Sequence, residues 1–519
     1  MANGRYRHII VLCSYAILVW IFLVATGTFF SGFHLSDDQI LISFNNRLQH
    51  HSFLPAAWIE IEDDLYLRFR PLAIFYYMML AKWAYPDFTM IAFLVSLQAI
   101  LTCYFFYRYA SFLKCNVVLS FLFPLFILCG NQGVVFWRNC VNETFAMFLL
   151  SISFFYLGKL LSNKSNHGWN TIAFGLFLLL STLTKESFII LVPAVLFLKL
   201  WQESEVSGKS FLDSVRQNLK LILVFTVIVI SELAVIFYYK ANSPRFINYI
   251  GVDESTFTFN NLYISLVRLW ITKGYMVVIL PLVLFILFMK RKAENKMELS
   301  TFILRLTLLF LLITLPQILL YSKSLIFERY LLPGTLGSAL LILLLYQYVN
   351  RYESLQFLNK FFLPACTLLL CLQIVLMTKG AVAYANTGYG VKKMLNAIIE
   401  NTHPGDTILL VAYPLGQSDQ ALSAKAYLNA EIGGNRRNVY IEPLIDSAQS
   451  AGEVESSVIE NFIHETKGIT YQNISQPKNI RAITFFEKTL PVFMKNYIDF
   501  DTSLYRKVGD GQFLIYVKR

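Results

Sequence analysis

Charged residues are scarce in this chain, at 15% of its 519 residues, whereas hydrophobic residues make up 56%. A soluble globular protein typically carries about 25% charged residues, so the composition excludes that class. The sequence also shows neither an internal repeat nor a low-complexity segment. Because a bilayer offers no partners for loose backbone groups, the long apolar runs predict spanning helices and therefore a polytopic membrane protein.

Cysteine is scarce as well, and it is absent from the polar end of the chain. The seven cysteines lie within or beside apolar segments, at Cys13, Cys103, Cys115, Cys129, Cys140, Cys366 and Cys371. Their spacing fits no metal-ligand pattern, and none can form a disulfide in the tail. We interpret them as small buried apolar residues.

Eleven apolar segments are interpreted as membrane spans. They run approximately over 9–31, 88–107, 116–136, 142–161, 169–184, 187–201, 219–238, 271–289, 300–321, 331–349 and 361–378. The fifth and sixth are short because Lys185-Glu186 interrupts one apolar stretch, and a single kinked hairpin is the alternative. The first has no clear small-residue cleavage site, so we expect an uncleaved span.

Lysine and arginine collect in alternate short loops, which sets the predicted orientation. Arg108, Lys114, Lys209, Arg216 and Arg351 fall on the same side as the N-terminus. We therefore expect an inside N-terminus and an outer tail. This topology and anionic lipid headgroups explain most of the net charge of +11, so no nucleic-acid partner is predicted.

The first outer loop, residues 32–87, opens with an acidic pair, Asp37-Asp38. Apolar residues follow at helical spacing: Ile40, Leu41, Phe44 and Leu48. They predict a helix lying on the membrane surface. Ser36 is the predicted N-cap, and acids in a first turn are favoured by the helix dipole. That purely structural role is the alternative, but it does not explain two adjacent carboxylates at a membrane exit.

The same loop carries four more acids and then Arg70-Pro71-Leu72. The acids are Glu60, Glu62, Asp63 and Asp64. They can line a cleft or form a solvated turn with local ion pairs, and the sequence leaves both open. Pro71 suits the start of the amphipathic stretch predicted over 72–85. Arg70 would gain nothing at the positive end of that helix, so we expect it to bind an anion elsewhere.

The tail, residues 380–519, turns abruptly polar and mixes two periodicities. Helical patterns cover 389–401, 418–430 and 451–465, and strands are predicted at Thr407–Ala412, Val439–Glu442, Ile480–Phe486 and Phe513–Val517. The predicted fold is thus an all-α membrane module, 1–379, followed by a small extracytoplasmic α/β domain. The tail has no phosphate loop, nucleophile elbow or metal box, so the sequence assigns no chemistry to it.

Ionisable residues also mark three other predicted outer span ends. They occur in the segments Trp137 to Glu143, Lys185-Glu186, and Phe327 to Pro333, which contains Glu328-Arg329-Tyr330. Charge this close to lipid is expensive, so each group is a functional candidate. The alternative for each is a snorkelling interface residue.

Several of these segments resemble motifs of the GT-C superfamily, membrane glycosyltransferases that take a sugar from a polyprenyl-phosphate carrier. Asp37-Asp38 is similar to the acidic pair in that family's first outer loop, and Arg70-Pro71-Leu72 to an Arg-Pro-Leu near the loop's end. Asn139 to Glu143 lies where many members place a second acidic residue.

Two further segments carry the same resemblance. Lys185-Glu186 is similar to a Lys-Glu pair between the fifth and sixth spans, and Arg329-Tyr330 with Pro333 to an Arg-Tyr-x-x-Pro segment near the tenth. The acidic pair departs from the Asp-Glu of protein mannosyltransferases and aminoarabinose transferases. Bacterial glucosyltransferases that decorate O-antigen share the looser pattern.

Glycosyl transfer needs a carboxylate to take a hydroxyl proton and cations to neutralise the leaving phosphate. We assign the first role to Asp37 and Asp38, and the second to Arg70, Lys185 and Arg329. The supporting residues are Glu143, Glu186, Glu328 and Tyr330. An obligatory metal is not predicted, although the second acidic cluster leaves a divalent metal open.

The predicted function is an inverting glycosyltransferase of a bacterial inner membrane, acting on its outer face. Its predicted partners are a polyprenyl-phosphate-linked sugar and membrane lipids. The predicted acceptor is a glycan or lipid of the envelope, such as lipopolysaccharide, and we expect the tail to position this acceptor. An O-antigen polymerase or ligase is the alternative, but it would carry a large outer loop late in the span order. A transporter or flippase would place its ionisable residues near the midplane and show related halves.

Overall fold

The computed structural model describes most of the chain. The described residues are 2–35, 37–65, 68–162, 166–242, 259–260, 263, 296–324, 328–352, 359–412, 417–430, 438–443, 480–486, 504–508 and 512–519. They divide into two compact units. Unit 1 comprises 1–25, 57–76 and 93–381, and unit 2 comprises 26–56, 77–92 and 382–519.

Helices dominate the described residues. They are α1 (Ala2–Ala25), α2 (Gln39–His50), α3 (Phe53–Leu65), α4 (Pro71–Trp83), α5 (Phe88–Phe112), α6 (Val117–Leu128), α7 (Asn142–Ser162), α8 (His167–Thr182), α9 (Val192–Ser207), α10 (Phe211–Gln217), α11 (Leu219–Asn242), α12 (Lys296–Ser324), α13 (Leu332–Arg351), α14 (Asn359–Asn401) and α15 (Ser418–Ala430). Short 3₁₀ turns occupy Thr28–Phe30, Asn131–Phe136, Glu186–Leu191 and Glu328–Leu331.

Within this part of the chain, eight helices are long and apolar enough to cross a membrane. They are Tyr6–Ala25, Phe88–Phe112, Asn142–Ser162, Glu186–Ser207, Leu219–Tyr239, Met297–Ile318, Leu332–Arg351 and Lys360–Asn401. The chain is therefore a multi-pass membrane protein. Helices α6 and α8 coincide with two further predicted spans but are shorter, at 12 and 16 residues. The predicted span over 271–289 lies outside the described residues.

Two predicted spans end earlier than their apolar runs, because glycine allows the chain to turn. The first stops at Ala25, and Gly27 follows with φ of 76°. The third stops at Leu128, and Gly130 follows with φ of 115°. Both values lie where side chains with a Cβ are disfavoured. Hydropathy alone did not reveal these ends, since the residues beyond them are equally apolar.

Helix α13 is the most enclosed span of unit 1. Its apolar window is 94% buried, against 11% for α11. It packs against α6 and α12, and Thr335 Oγ1 donates a hydrogen bond to Leu332 O at 2.6 Å. A helix that is apolar all round and covered by its neighbours is the expected centre of a bundle.

Unit 2 is built on a mixed five-stranded sheet in the order β2-β1-β3-β5-β4. The strands are β1 (Thr407–Ala412), β2 (Asn438–Pro443), β3 (Ile480–Phe485), β4 (Tyr505–Val508) and β5 (Leu514–Lys518). The first three pair in parallel, while β5 pairs antiparallel with both β3 and β4. The four predicted strands are confirmed, and β4 was not predicted. The predicted helix over 451–465 lies outside the described residues.

The start of the first outer loop completes the apolar core of unit 2. Phe33, Leu35 and Ile42 are buried with residues of α14, α15 and the sheet, among them Leu395 and Leu428. Helix α2 packs against α15. The prediction that the apolar face of α2 lies on the membrane is therefore wrong, because protein covers that face.

Two local predictions in the first loop also need correction. Helix α2 begins at Gln39, after the acidic pair rather than before it, and Ser36 lies outside the described residues. The four acids from Glu60 to Asp64 belong to α3 and not to a turn.

Helix α14 runs unbroken from Asn359 to Asn401. It therefore joins the predicted span over 361–378 and the predicted helical pattern over 389–401 into one helix.

Candidate functional site

Lys185 and Glu143 form a buried ion pair in unit 1. The Nζ–Oε1 distance is 3.2 Å, and the two residues are only 5% and 2% exposed. Glu143 lies in the first turn of α7, while Lys185 occupies an extended residue between α8 and the 3₁₀ turn that begins at Glu186. A charge this deeply buried requires a partner, and each side chain supplies one to the other.

Arg329 adds a second cation to this pair. Its charge acts on the Glu143 carboxylate together with that of Lys185. The short turn Glu328–Leu331, which carries Arg329, packs against Asn131–Phe136. Two cations thus act on one carboxylate. We call Lys185, Glu143 and Arg329 the basic cluster. Its two cations suit an anionic ligand better than a cationic one.

Lys185 lies at a break between two helical segments. Helix α8 ends at Thr182, and Leu183 O accepts a hydrogen bond from Leu72 N at 3.0 Å. That bond ties the first turn of α4 to the break. The predicted site segments at Arg70-Pro71-Leu72 and Lys185 are therefore neighbours in unit 1.

Helix α4 is anchored in place by Tyr76. The Gln98 amide donates to the Tyr76 hydroxyl at 2.8 Å, and the Tyr76 ring stacks on Phe145 of α7 at 4.5 Å. Burial raises the pKa of the Tyr76 phenol, so this group stays neutral. The contacts fix the turn that carries Arg70 against the helix that carries Glu143.

Arg70 itself has a local partner. Its Nε and Nη2 both donate to the Asp64 carboxylate at 2.9 Å, and both side chains are partly buried. The predicted cation is thus present beside the basic cluster, but a carboxylate from the same loop balances much of its charge. The local ion-pair alternative describes Asp64 correctly.

Three further polar groups lie near the basic cluster. Gln132 Oε1, Trp137 Nε1 and Asn142 Oδ1 are buried and make no hydrogen bond among the described residues. All three precede Glu143 in the sequence, and Thr144 Oγ1 donates a hydrogen bond to Val135 O of the same stretch at 2.6 Å. A buried polar atom left unpaired costs about 1–3 kcal/mol. Trp137 and Asn142 belong to the segment that the sequence analysis singled out, whereas Gln132 was missed.

The two aspartates of the acidic pair, Asp37 and Asp38, differ in their surroundings. Asp38 is 1% exposed, and its Oδ2 accepts from the backbone N–H of His34 at 2.9 Å. Asp37 is partly exposed and has a left-handed backbone with φ of 68°. Such a φ is uncommon outside glycine, although aspartate tolerates it better than most residues. Asp37 is therefore the more accessible carboxylate, whereas Asp38 braces the turn.

The remaining predicted residues fall into two groups. Glu186 is partly exposed at the start of its 3₁₀ turn, and the ion pair found for Lys185 is with Glu143. The side chains of Glu328 and Tyr330 lie outside the described residues. No three His, Cys, Asp or Glu side chains of the described part are grouped as metal ligands. Metal dependence stays as open as the sequence left it.

Comparison with known proteins identifies the fold. No protein family and no curated protein matches the sequence. Among solved structures, ArnT from Cupriavidus metallidurans bound to undecaprenyl phosphate aligns over 99% of this chain and 98% of its own, with 12% identity and a TM-score of 0.50. The apo structure of the same protein aligns with the same coverage and identity and a TM-score of 0.49.

At this identity the likeness establishes the fold alone. The chain therefore has an ArnT-like fold, and the predicted resemblance is confirmed at the level of the fold. The predicted fold class, an all-α membrane module with a small C-terminal α/β domain, is confirmed as well.

Proposed function

We propose that this protein is a glycosyltransferase that moves a sugar from a polyprenyl-phosphate carrier to an envelope glycan or lipid on the outer face of a bacterial inner membrane. The observation that carries the proposal is the buried Lys185–Glu143 ion pair, together with the partly buried Arg329 that acts on the same carboxylate, within an ArnT-like fold. Lysine and arginine are the side chains that bind phosphate oxygens through charge-assisted hydrogen bonds, and a lipid phosphate supplies such oxygens.

The leaving group explains the two cations. As the bond between the anomeric carbon and the phosphate oxygen breaks, the polyprenyl phosphate gains negative charge. Lys185 and Arg329 are proposed to neutralise that charge, while Glu143 holds the Lys185 side chain in place through the ion pair in the absence of ligand. Arg70 is proposed as a third phosphate contact, weaker because Asp64 already engages its Nε and Nη2.

Asp37 is proposed as the base. The acceptor hydroxyl oxygen bonds to the anomeric carbon, and its proton passes to the Asp37 carboxylate as the phosphate departs. A single displacement of this kind inverts the anomeric centre. Asp37 fits the role better than Asp38, because it is partly exposed whereas Asp38 is buried and accepts a backbone N–H.

Recognition of the sugar is proposed for the polar groups near Glu143. Gln132 Oε1 and Asn142 Oδ1 are acceptors, and Trp137 Nε1–H is a donor, all buried without protein partners among the described residues. A sugar ring offers hydroxyls that both donate and accept. Such groups discriminate strongly, because a ligand lacking the matching hydroxyl leaves a buried atom unpaired.

The donor half of the proposal is tested by thermal unfolding of the purified full-length protein with and without undecaprenyl phosphate. We expect the lipid to raise the Tm of the wild type and not that of Lys185→Met. Lys199→Met is the matched control, because Lys199 is 1% exposed and pairs with Glu203 elsewhere in unit 1. A lipid-induced shift that survives Lys185→Met and Arg329→Met would contradict the proposed phosphate site.

The transfer half is tested in cells. Deleting the gene should remove the mass of one sugar from an envelope glycan or lipid, and the wild-type gene should restore it. Asp37→Asn should fail to restore it at normal protein levels. Unchanged envelope glycans and lipids in the deletion strain would argue against a transferase.

A further inference from the structure

The left-handed backbone of Asp37 must be stabilised by its surroundings. A non-glycine residue in this region is strained, and it persists only where neighbouring contacts determine the conformation. Two such contacts are local. Asp38 closes the turn by accepting His34 N–H, and Asp37 O accepts Ile40 N–H at 3.2 Å as α2 begins. The first contact depends directly on where His34 is held.

His34 is fixed by a hydrogen bond between its ring and the Ser31 hydroxyl. Its Nε2 lies 2.9 Å from Ser31 Oγ, and Ser31 Oγ donates its single proton to Thr28 O at 2.9 Å. The Ser31 oxygen must therefore accept from His34, which places a proton on Nε2. His34 and Ser31 are each 2% exposed, so water does not compete for this bond.

The other side of the imidazole is covered by helix α14. The Tyr384 ring stacks on the His34 ring with centroids 3.7 Å apart and planes within 6°. At Gly388, one turn further along, an added Cβ would lie 2.6 Å from His34 Cε1 and Nε2 and 2.6 Å from Ser31 O. Glycine at this position lets the helix backbone approach the 31–34 segment closely.

We propose that Tyr384 and Gly388 of α14, acting through His34, are positioning residues for Asp37. The helix that leads into the tail sets the imidazole, the imidazole sets the backbone of residues 34–38, and that backbone aims the base. This inference rests on the proposed function, because Asp37 is the base that it positions. It gives the tail a share in the rate of transfer, which is distinct from holding an acceptor.

A displacement of about 1 Å in a reacting group can lower a rate roughly 100-fold. We therefore expect Tyr384→Leu, which removes the stacked ring, to lower kcat about 10- to 100-fold. Tyr384→Phe keeps the ring and should retain kcat within about threefold. KM for the donor should stay within about twofold in both variants, because the donor phosphate is assigned to residues of unit 1.

The matched control is Tyr427→Leu. Tyr427 of α15 packs on Phe33, the residue before His34, with ring centroids 4.8 Å apart. Its loss removes a comparable aromatic contact in unit 2 without touching the imidazole. We expect Tyr427→Leu to lower the Tm while kcat per folded molecule is unchanged. His34→Gln keeps an Nε2–H donor but loses the stacking surface, and it should behave like Tyr384→Leu.

The assay uses the full-length protein in membranes of the deletion strain. The probe is the total polyprenyl-phosphate-sugar fraction extracted from wild-type membranes, and transfer is read as the mass gain on the envelope acceptor. Rates at saturating donor give kcat, and the dependence on donor amount gives KM. Should Tyr384→Leu fail to fold, His34→Gln and Gly388→Ala decide.

Two results separate this inference from the proposed function. If Asp37→Asn is inactive while Tyr384→Leu and His34→Gln keep a normal kcat, the positioning role is wrong and the base assignment stands. If Asp37→Asn keeps a normal kcat, the base assignment in the proposed function fails, and this inference fails with it. An equal loss of kcat in Tyr384→Leu and Tyr427→Leu would reduce the effect to general stability and overturn the inference.

Discussion

Lys185 and Glu143 meet at 3.2 Å although they begin different membrane segments of the chain. Lys185 has an acidic neighbour in sequence, Glu186, yet the carboxylate it pairs with comes from the start of α7. Both residues of the pair are buried. The pair is part of the structure of unit 1, and it is also part of the proposed phosphate site. Experiments must separate these two roles.

A double-mutant cycle on this pair makes that separation. Removing one partner of a buried ion pair costs about 3–5 kcal/mol, whereas replacing both can be nearly neutral. Lys185→Met and Glu143→Leu should therefore each lower the free energy of unfolding, and the double variant should recover much of it. The double variant should still lack the Tm shift with undecaprenyl phosphate. Recovery of that shift with stability would show that Lys185 is structural only.

The acidic pair should respond asymmetrically to substitution. Asp37→Asn removes the proposed proton acceptor, so transfer should fall about 10²- to 10⁴-fold. Asp38→Asn keeps an oxygen able to accept His34 N–H, and we expect a much smaller loss. Asp38→Leu leaves that buried N–H unpaired and should lower stability by about 1–3 kcal/mol. Transfer rates and thermal unfolding of the three variants test the assignment, which equal losses in both amide variants would contradict.

The contact between Arg70 and Asp64 predicts opposite changes in donor affinity. Asp64→Asn frees the Arg70 guanidinium and should increase the Tm shift caused by undecaprenyl phosphate, because the local positive charge rises. Arg70→Gln should decrease that shift. The measurement is the same thermal titration for both variants. Identical shifts in both would leave Arg70 as a partner of Asp64 and nothing more.

The predicted orientation is tested at two described surface positions. Reporter fusions at Gly208, between α9 and α10, and at Gly405, before β1, should report opposite sides of the membrane. The lysine and arginine residues of the loop around Gly208 predict that this loop lies on the inner side of the membrane. The tail is predicted to lie on the outer side. Finding both reporters on the same side would remove the outer-face location from the proposed function.

Exchange of the tail tests its expected role with the acceptor. A chimera that carries residues 380–519 of a related enzyme with another acceptor preference should change the acceptor used. Activity of such a chimera should also require compatible residues at positions 384 and 388, because both contact His34 or its neighbour. A stable, active chimera that keeps its original acceptor would contradict acceptor positioning by the tail.

Long apolar runs and strand patterns were readable from the sequence because each depends on a local period. The prediction at Thr407–Ala412 coincides with β1, and that at 418–430 coincides with α15. The ends at Gly27 and Gly130 were missed because hydropathy does not register a backbone turn. Helix α3 was missed because its acids suggested solvent, although a helix can carry charge on its exposed face.

The candidate site was only half predictable for a related reason. Charge in an apolar context identified Lys185, Arg329 and Glu143, since burial makes such residues costly. Their pairing was not predictable, because nearest neighbours in sequence offered competing partners. The apolar face of α2 was assigned to lipid because the periodicity of the sequence shows only that this face is covered. It does not reveal that helix α15 covers it.

The loop that carries the acidic pair and the tail share one apolar core, which restricts how such a protein can diversify. Phe33, Leu35 and Ile42 come from one end of the gene, and Leu395 and Leu428 from the other. A recombination event that replaced the tail alone would bring unmatched surfaces together around Asp37. Lineages that change acceptor should therefore show covariation between the first loop and the tail, with paired substitutions far apart in the gene.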